Sequence, residues 1–547
     1  MNSTSLQTLD LIVFFTYFVI VSAYGFWIYR SKKAASENSG DYFLAEGSLT
    51  WWAIGASLIA SNISAEQFIG MSGNGFSMGL AIATYEWMAA ATLLVVAVFF
   101  LPIYLRNRIF TMPQFLNQRY NGTVATIMAI FWLFLYVLVN LTSILHLGAL
   151  AVSTISGVNY YTCIYAFAIF AVFITLGGMK VIGYTDVIQV AVLILGGLAT
   201  TYLALDLVAQ KFHLSGAMAG LEMLGKDAPD HFHMIFSKNQ LMIPDGQGGS
   251  KDAYMSLPGL TVLFGGMWIT NLNYWGCNQY ITQRALGADL HTARSGLLFA
   301  AFLKLLMPII VVLPGIAAYV LYKNGDFQAQ MTEGTANIIK PDHAYPVLIN
   351  LLPVGLKGLS FAALTAAIVA SLAGKANSIA TIFTLDLYKK FNPSASEVNL
   401  VRVGKIVIVV AMIAGCIIAP MLRSLDSAFQ FIQKYTGFVS PGIFAIFIMG
   451  FFWKRTTGLA ALVAAIITIP LSYSFDKYLP TMPFLVAMGY IFLILISVMV
   501  IISLAAPEKD DSNRLHIEPS MFKVSRGFAV GAGIILAILT AIYSYFW

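Results

Sequence analysis

Apolar stretches of about twenty residues recur from one end of this chain to the other, and that single feature leaves few folds open. Inside hydrocarbon no water satisfies the backbone, so a spanning segment bonds to itself as a helix or closes into a barrel. Stretches of this length cross a bilayer core as helices, whereas a tilted barrel strand needs only about ten residues. The chain therefore reads as an all-α polytopic membrane protein. Apolar runs bounded by charges or turn residues fall at about 10–29, 51–71, 79–105, 125–152, 160–179, 185–207, 258–283, 295–322, 357–386, 402–422, 427–452, 458–477, 483–505 and 527–546, which predicts about fourteen transmembrane helices. Hydrophobic residues make up 59% of the 547 and charged residues only 10%. A length that in a soluble chain would mean about three or four domains here means one membrane domain, 1–547.

The formal charge of +6 is no mark of nucleic-acid binding in such a chain, because its meaning lies in where the basic residues fall. They gather on alternate connections: Arg30, Lys32 and Lys33; Arg106, Arg108 and Arg119; Lys180; Arg284 and Arg294; Lys389, Lys390, Arg402 and Lys405; Lys454 and Arg455; Lys509, Arg514, Lys523 and Arg526. Those connections are expected on the cytoplasmic side, with both termini opposite. The outer set then includes two longer loops, 208–257 and 323–356. His213, His231 and His233 read as solvated loop residues, since no third ligand with metal-site spacing accompanies the HFH pair. The GQGG at Gly246–Gly249 lacks the strand and lysine of a phosphate cradle. Cys163, Cys277 and Cys416 lie inside apolar runs and read as core. The first run is followed at once by Arg30 and has no cleavage signature, so 10–29 reads as a retained additional helix.

Two spans interrupt their own apolar character. The stretch Trp51–Met88, WWAIGASLIASNISAEQFIGMSGNGFSMGLAIATYEWM, carries Ser61, Asn62, Ser64, Glu66 and Gln67 near the middle of a membrane run. Gly70, Gly73, Gly75 and Gly79 are then expected to turn the chain back, and Tyr85 and Glu86 re-enter the apolar zone. An unpaired polar group in hydrocarbon costs several kcal/mol, so these residues face a cavity, a ligand or an ion. A mere polar seam between helices does not account for Gln67 and Glu86 together. The seventh span breaks likewise at Asn271, Asn273, Tyr274, Trp275 and Gly276. Breaks five helices apart imply two five-helix halves, 51–207 and 258–452, each opening with a discontinuous helix, with further helices at 458–547. Unwound carbonyls and half-helix ends then supply a binding site at mid-membrane where the breaks meet. No HExxH, GxSxG or paired-aspartate motif lies in the membrane, and no soluble signalling module follows the last span, so an enzyme or a sugar sensor is a distant reading.

The runs ASNISAEQFIGMSGNG, ATYEWM, YTDVIQV, NLNYWGCNQYITQR, FAAFLKLLMP, NSIATIFTLDLYKK and AFQFIQKYTGFVSPG together resemble the bacterial sodium/galactose (sodium/glucose-type) cotransporters of the solute:sodium symporter family, over nearly the whole chain. The resemblance implies a LeuT-like five-plus-five inverted repeat with extra flanking helices and alternating access driven by inward sodium. It implies a multi-pass protein of the bacterial inner membrane with periplasmic termini, no cofactor beyond the coupling ion, and no obligate protein partner. Residue by residue it places the sugar on Gln67, Glu86, Asn271, Lys304 and Gln433, with Tyr85, Met71 and Phe429 lining the cavity and Tyr274 as inner gate. The chemistry agrees: amides, a carboxylate and an ammonium meet the hydroxyls of a neutral ring, and apolar surfaces cover its C–H faces. Glu86 and Lys304 are expected to neutralise one another in part. Lys304 lies about ten residues inside the boundary at Arg294, too deep for a simple snorkelling lysine.

By the same resemblance sodium is held at Ala60, Ile63, Ala367, Ala370 and Ser371. The family has two consecutive serines where this chain has Ala370 and Ser371, and sodium, a hard cation, loses an oxygen there. Lys375 follows Ser371 by one helical turn and shares its face. Its ammonium is expected either to pair with Asp186, to take part of the cation's place, or to reach the cytoplasmic vestibule without touching the ion. The expected function is therefore sodium-coupled monosaccharide symport. Beside it stand a sodium symporter for inositol or a sialic acid, and a proton-coupled or uncoupled sugar carrier favoured by Ala370 and Lys375.

Overall fold

The computed structural model describes residues 6–31, 39–45, 49–245, 248–333, 338–424, 428–506 and 515–547, the side chains at 31, 41, 333, 423–424, 428–433 and 435 aside. Its principal helices in chain order are α1 (Thr8–Ser31), α2 (Trp51–Asn62), α3 (Ser72–Met78), α4 (Thr84–Val95), α5 (Gly122–Phe134), α6 (Thr142–Ser156), α7 (Tyr160–Thr175) and α8 (Gly178–Lys211). They continue with α9 (Gly266–Gly276), α10 (Gln279–Leu286), α11 (Leu290–Lys323), α12 (Leu356–Thr381), α13 (Glu397–Ile418), α14 (Ala428–Phe452), α15 (Gly458–Tyr478), α16 (Phe484–Ala505) and α17 (Arg526–Tyr545). Among the described residues ten helical stretches are long and apolar enough to cross a membrane, and Tyr160–Thr175, Ala253–Phe264 and Thr436–Phe452 are shorter apolar helices.

Burial sorts these helices into a centre and a rim. The apolar stretch within Leu356–Phe391 is 89% buried, against 17% for that within Arg526–Tyr545 and 22% for that near the N-terminus. A helix apolar on every side and covered on every side is an interior element, and one left bare is suited to lipid. Around α12 pack α8 and α6, while α11 packs against α2, α3 and α4. Lipid tails give no hydrophobic drive to pack helices together, so close approach at small residues does that work. Gly315 of α11 lies against the Ser72 backbone of α3, where an added Cβ would overlap the carbonyl.

The first break falls where the sequence places it. Helix α2 ends at Asn62, Ile63 is extended (φ −76°, ψ 116°), and a wide turn resumes at Glu66–Met71 before α3. The glycine run behaves differently from the expectation: the chain stays helical through Gly70, Gly73 and Gly75 and turns at Gly79, whose φ of 69° suits glycine. Gly73 and Gly75 instead let Pro341 and Val312 approach. In the seventh span the helix runs through Asn271–Gly276 and breaks just beyond, at Cys277–Asn278, before α10. Those asparagines stay helical because each has a donor satisfied elsewhere: Asn271 Nδ2 donates to the Met267 carbonyl at 3.1 Å, and Asn273 Nδ2 to Ser440 Oγ at 3.1 Å.

Two readings of surface residues need correction. His231 is 3% exposed rather than solvated: its ring stacks on Tyr319, with centroids 3.9 Å apart, and its Nε2 donates to the Phe76 carbonyl at 2.9 Å. Arg119, Arg284 and Arg294, read as loop charges, are buried against backbone carbonyls, Arg119 donating to those of Gly450, Thr456, Trp453 and Lys454. Guanidinium forks suit this role, because five donors can tie several chain ends at once. Lys32, Lys33, Lys509 and Arg514 lie outside the described residues. Cys163 and Cys277 are buried free thiols, as expected of core residues, and Cys416 is half-buried.

Candidate functional site

The two breaks share a cavity. Residues from the first, Asn62, Glu66, Gln67 and Met71, face residues from the second, Asn271, Asn273, Tyr274 and Trp275, with Tyr85, Glu86 and Lys304 completing the wall. Local structure explains the presentation. Where a helix stops in mid-membrane its backbone groups lose partners, and side chains of the broken segment turn inward to replace them. Gln67 does this at the first break, its amide oxygen accepting from the Ser64 N–H at 2.9 Å and from Ser64 Oγ at 3.1 Å. Only its NH2 group is then left to offer a ligand.

Lys304, fully buried on α11, donates to both Glu86 of α4 and Asn62 of α2 and lies 5.1 Å from the centre of the Trp275 ring. An isolated ammonium at this depth is prohibitively costly, and the carboxylate, the amide oxygen and the aromatic face together stand in for water. Asn62 then passes the connection on, its Nδ2 donating to the Tyr274 hydroxyl at 2.9 Å. Carboxylate, ammonium, amide and the Tyr274 hydroxyl thus form one chain between the two breaks. Among the described residues Asn273 Oδ1 is a buried acceptor with no hydrogen-bond partner. The cavity holds about 90 Å³, well under the roughly 300–1,000 Å³ of a pocket closed around a small molecule, so a ligand of that size enters only as side chains part.

Gln67, Glu86, Asn271, Lys304, Tyr85, Met71 and Tyr274 all line this one cavity. The side chains of Gln433 and Phe429 lie outside the described residues; the neighbouring Lys434 turns to Asp476 on α15, at 2.7 Å. Asn62, Glu66 and Trp275, which the sequence marks as break residues without a specific ligand role, also line the cavity, as do Tyr280, Asn140 and Ser440, which it did not single out. The polar interruption of an apolar run was the signal for the first three.

Ala60, Ile63, Ala367, Ala370 and Ser371 are all buried where α12 meets the end of α2, beside the cavity rather than on its wall. Ser371 Oγ donates to the Ser61 carbonyl at 3.0 Å, which leaves its lone pairs free for a cation. Asp186 does not pair with Lys375. It accepts from Ser57 Oγ at 2.5 Å, Arg284 Nε donates to that same hydroxyl at 2.9 Å, and the charge acting on Asp186 is that of Arg284. Lys375 instead lies over the Tyr280 ring, 4.9 Å from its centre, with Glu66 as the carboxylate acting on it.

A bundle with two broken helices facing one polar cavity is the architecture of a secondary transporter. The sodium:solute symporter family model matches residues 42–468, and the chain belongs to that family. It is 47% identical to the sodium/glucose cotransporter of Vibrio parahaemolyticus, with 99% of each chain covered. It is 33% identical to the sodium/myo-inositol cotransporter 2 of Homo sapiens, over 82% of this chain and 66% of that one. Among solved structures a sodium-coupled sialic acid symporter, in a substrate-bound outward-open state, superposes with a TM-score of 0.77 at 21% identity, covering 92% of this chain and 99% of that chain.

Proposed function

We propose that this protein is a sodium-driven symporter of a neutral monosaccharide of the glucose or galactose type, working by alternating access in the bacterial inner membrane. The observation that carries the reading is the Glu86–Lys304–Asn62–Tyr274 chain spanning both breaks. A sugar hydroxyl that takes a bond from Lys304 and another from Asn62 draws Asn62 away from Tyr274. Gate and substrate then compete for one amide, so occupancy of the sugar site biases the position of the gate. Gln67, Asn271 and Gln433 meet further hydroxyls, while Met71, Tyr85 and Phe429 cover the ring. Sodium at Ala60, Ile63, Ala367, Ala370 and Ser371 steadies the end of α2 and favours the arrangement that binds sugar, and the coupling is reciprocal by linkage.

The same reading gives the chain fourteen crossings, the shorter helices and the paired segments around each break making up the number beyond the ten long stretches. It takes 51–207 and 258–452 as inverted halves, 10–29 and 458–547 as additional helices, and both termini as periplasmic. The identity to a myo-inositol cotransporter supports a cyclic polyol as the neighbouring substrate class. Competition against labelled glucose uptake in proteoliposomes tests the choice. Glucose or galactose should compete at the lowest concentration, inositol at a higher one and an anionic sialic acid least, because Glu86 adds negative charge to the cavity. Preferential competition by the sialic acid contradicts the reading.

A further inference from the structure

The cavity has a second charged pole that the sugar site does not use. Lys375 is 3% exposed, lies over Tyr280 and lines the same cavity as Lys304. The two lysines repeat one pattern, in which an ammonium rests on an aromatic ring near the second break while a carboxylate from the first broken helix or the helix after it acts on it. They differ in closure. Lys304 spends its donors on Glu86 and Asn62, whereas among the described residues no hydrogen bond takes up those of Lys375, and Glu66 Oε1 is a buried acceptor without a partner.

The position of this open pair matters. Helix α2 ends at Asn62, so the carbonyls of its last turn lose their helical partners and present the negative end of a half-helix at mid-membrane. Ser371 touches that end through the Ser61 carbonyl, Lys375 follows Ser371 by one turn, and Glu66 follows the extended Ile63 by three residues. Arg284 stands on the other side. Its guanidinium fills the space over Gly374, where a Cβ would collide with Nη2, and its charge is answered by Asp186. Any mobile cation drawn to the end of α2 therefore arrives beside two fixed ones: Arg284 is tied through Nε to Ser57 and through Nη1 to the Tyr280 carbonyl, with Nη2 unpartnered among the described residues, whereas no hydrogen bond among them holds Lys375 in place.

We propose that Lys375 is a tethered cation that competes with sodium for the end of α2 and for Glu66. With the ammonium turned to that end, the carbonyl dipoles and the carboxylate are already answered and sodium binds weakly. When sodium enters, like-charge repulsion moves the ammonium off the carbonyls and the carboxylate and onto the Tyr280 face, where the ring holds it. The inference rests on the sodium-coupled reading above and adds to it a residue that sets how strongly the protein depends on the ion.

Sodium titrations on purified wild type, Lys375→Met, Lys375→Gln and Lys375→Arg, read both as thermal stabilisation and as glucose uptake into proteoliposomes, test it. Removing the charge should lower the half-saturating sodium concentration by about tenfold in both readouts, with Lys375→Arg staying near wild type. Half-saturation within about twofold of wild type in whichever neutral variant folds, judged by glucose-induced stabilisation, overturns the proposal. If neither wild type nor any variant responds to sodium while all respond to glucose, the sodium-coupled reading itself fails.

Discussion

Asn62 touches both the lysine that faces Glu86 and the tyrosine just before the second break, so a change at any of these four side chains reaches the others. Breaking a buried ion pair by removing one partner strands a charge, which costs about 3–5 kcal/mol, whereas replacing both with neutral groups leaves little to strand. Lys304→Met should therefore lower the melting temperature of the purified protein markedly. Adding Glu86→Gln to it should restore most of that stability without restoring sugar uptake. Equal stability of the single and double variants would show that the pair is not held by its own charges. Lys304 and Glu86 were legible because a charge deep in an apolar run is too costly to stand without a partner or a ligand. The partner of Lys375 was not: one sequence shows which helix face a residue is on, not which carboxylate crosses the gap to it, and the nearer candidate in the motif, Asp186, is taken by Ser57 and Arg284.

Helix α11 carries Lys304 to mid-cavity by packing along α2, α3 and α4, and its approach to α3 depends on Gly315. Gly315→Leu should force the two apart at a cost of about 1–3 kcal/mol or more, and displace Lys304 relative to Glu86. The expected result is a lower melting temperature together with a weakened sugar-induced shift; an unchanged shift would mean that the register of α11 is set elsewhere. The breaks themselves were readable as polar interruptions, within a residue or two. Their exact ends were not, because Asn271 and Asn273 find partners in Met267 and Ser440 that keep the helix intact past the point where their polarity predicts a stop. The loop at 208–257 shows the same limit. His231 looks like a solvated histidine in sequence, and only the fold reveals Tyr319 beneath it and Phe76 beside it.

Across the whole molecule the loop at 208–257 and the end of the chain are stitched together, Met234 N–H donating to the Phe546 carbonyl at 2.7 Å, while the Tyr543 hydroxyl ties the same end to Thr84 of α4 at 3.1 Å. Burial holds the His231 imidazole below its ordinary value of 6.5, with Asp230 favouring the proton and Lys323 opposing it. A histidine depressed in the folded state binds its proton more readily when unfolded, so its contribution to stability is intact above pH 6.5 and is lost as the pH falls through that value. Thermal stability should decline below that pH in wild type and decline less in His231→Asn; parallel profiles would assign the acid sensitivity to other groups. On the function proposed above, transport by this molecule rests on coupling between a cation and a sugar through one cavity. The most direct test of that coupling is labelled glucose and galactose uptake into proteoliposomes under an imposed inward sodium gradient, with potassium or choline as controls. Accumulation above equilibrium with sodium alone is the predicted result. Uptake that merely equilibrates, or that is equally strong in all three ions, would contradict it.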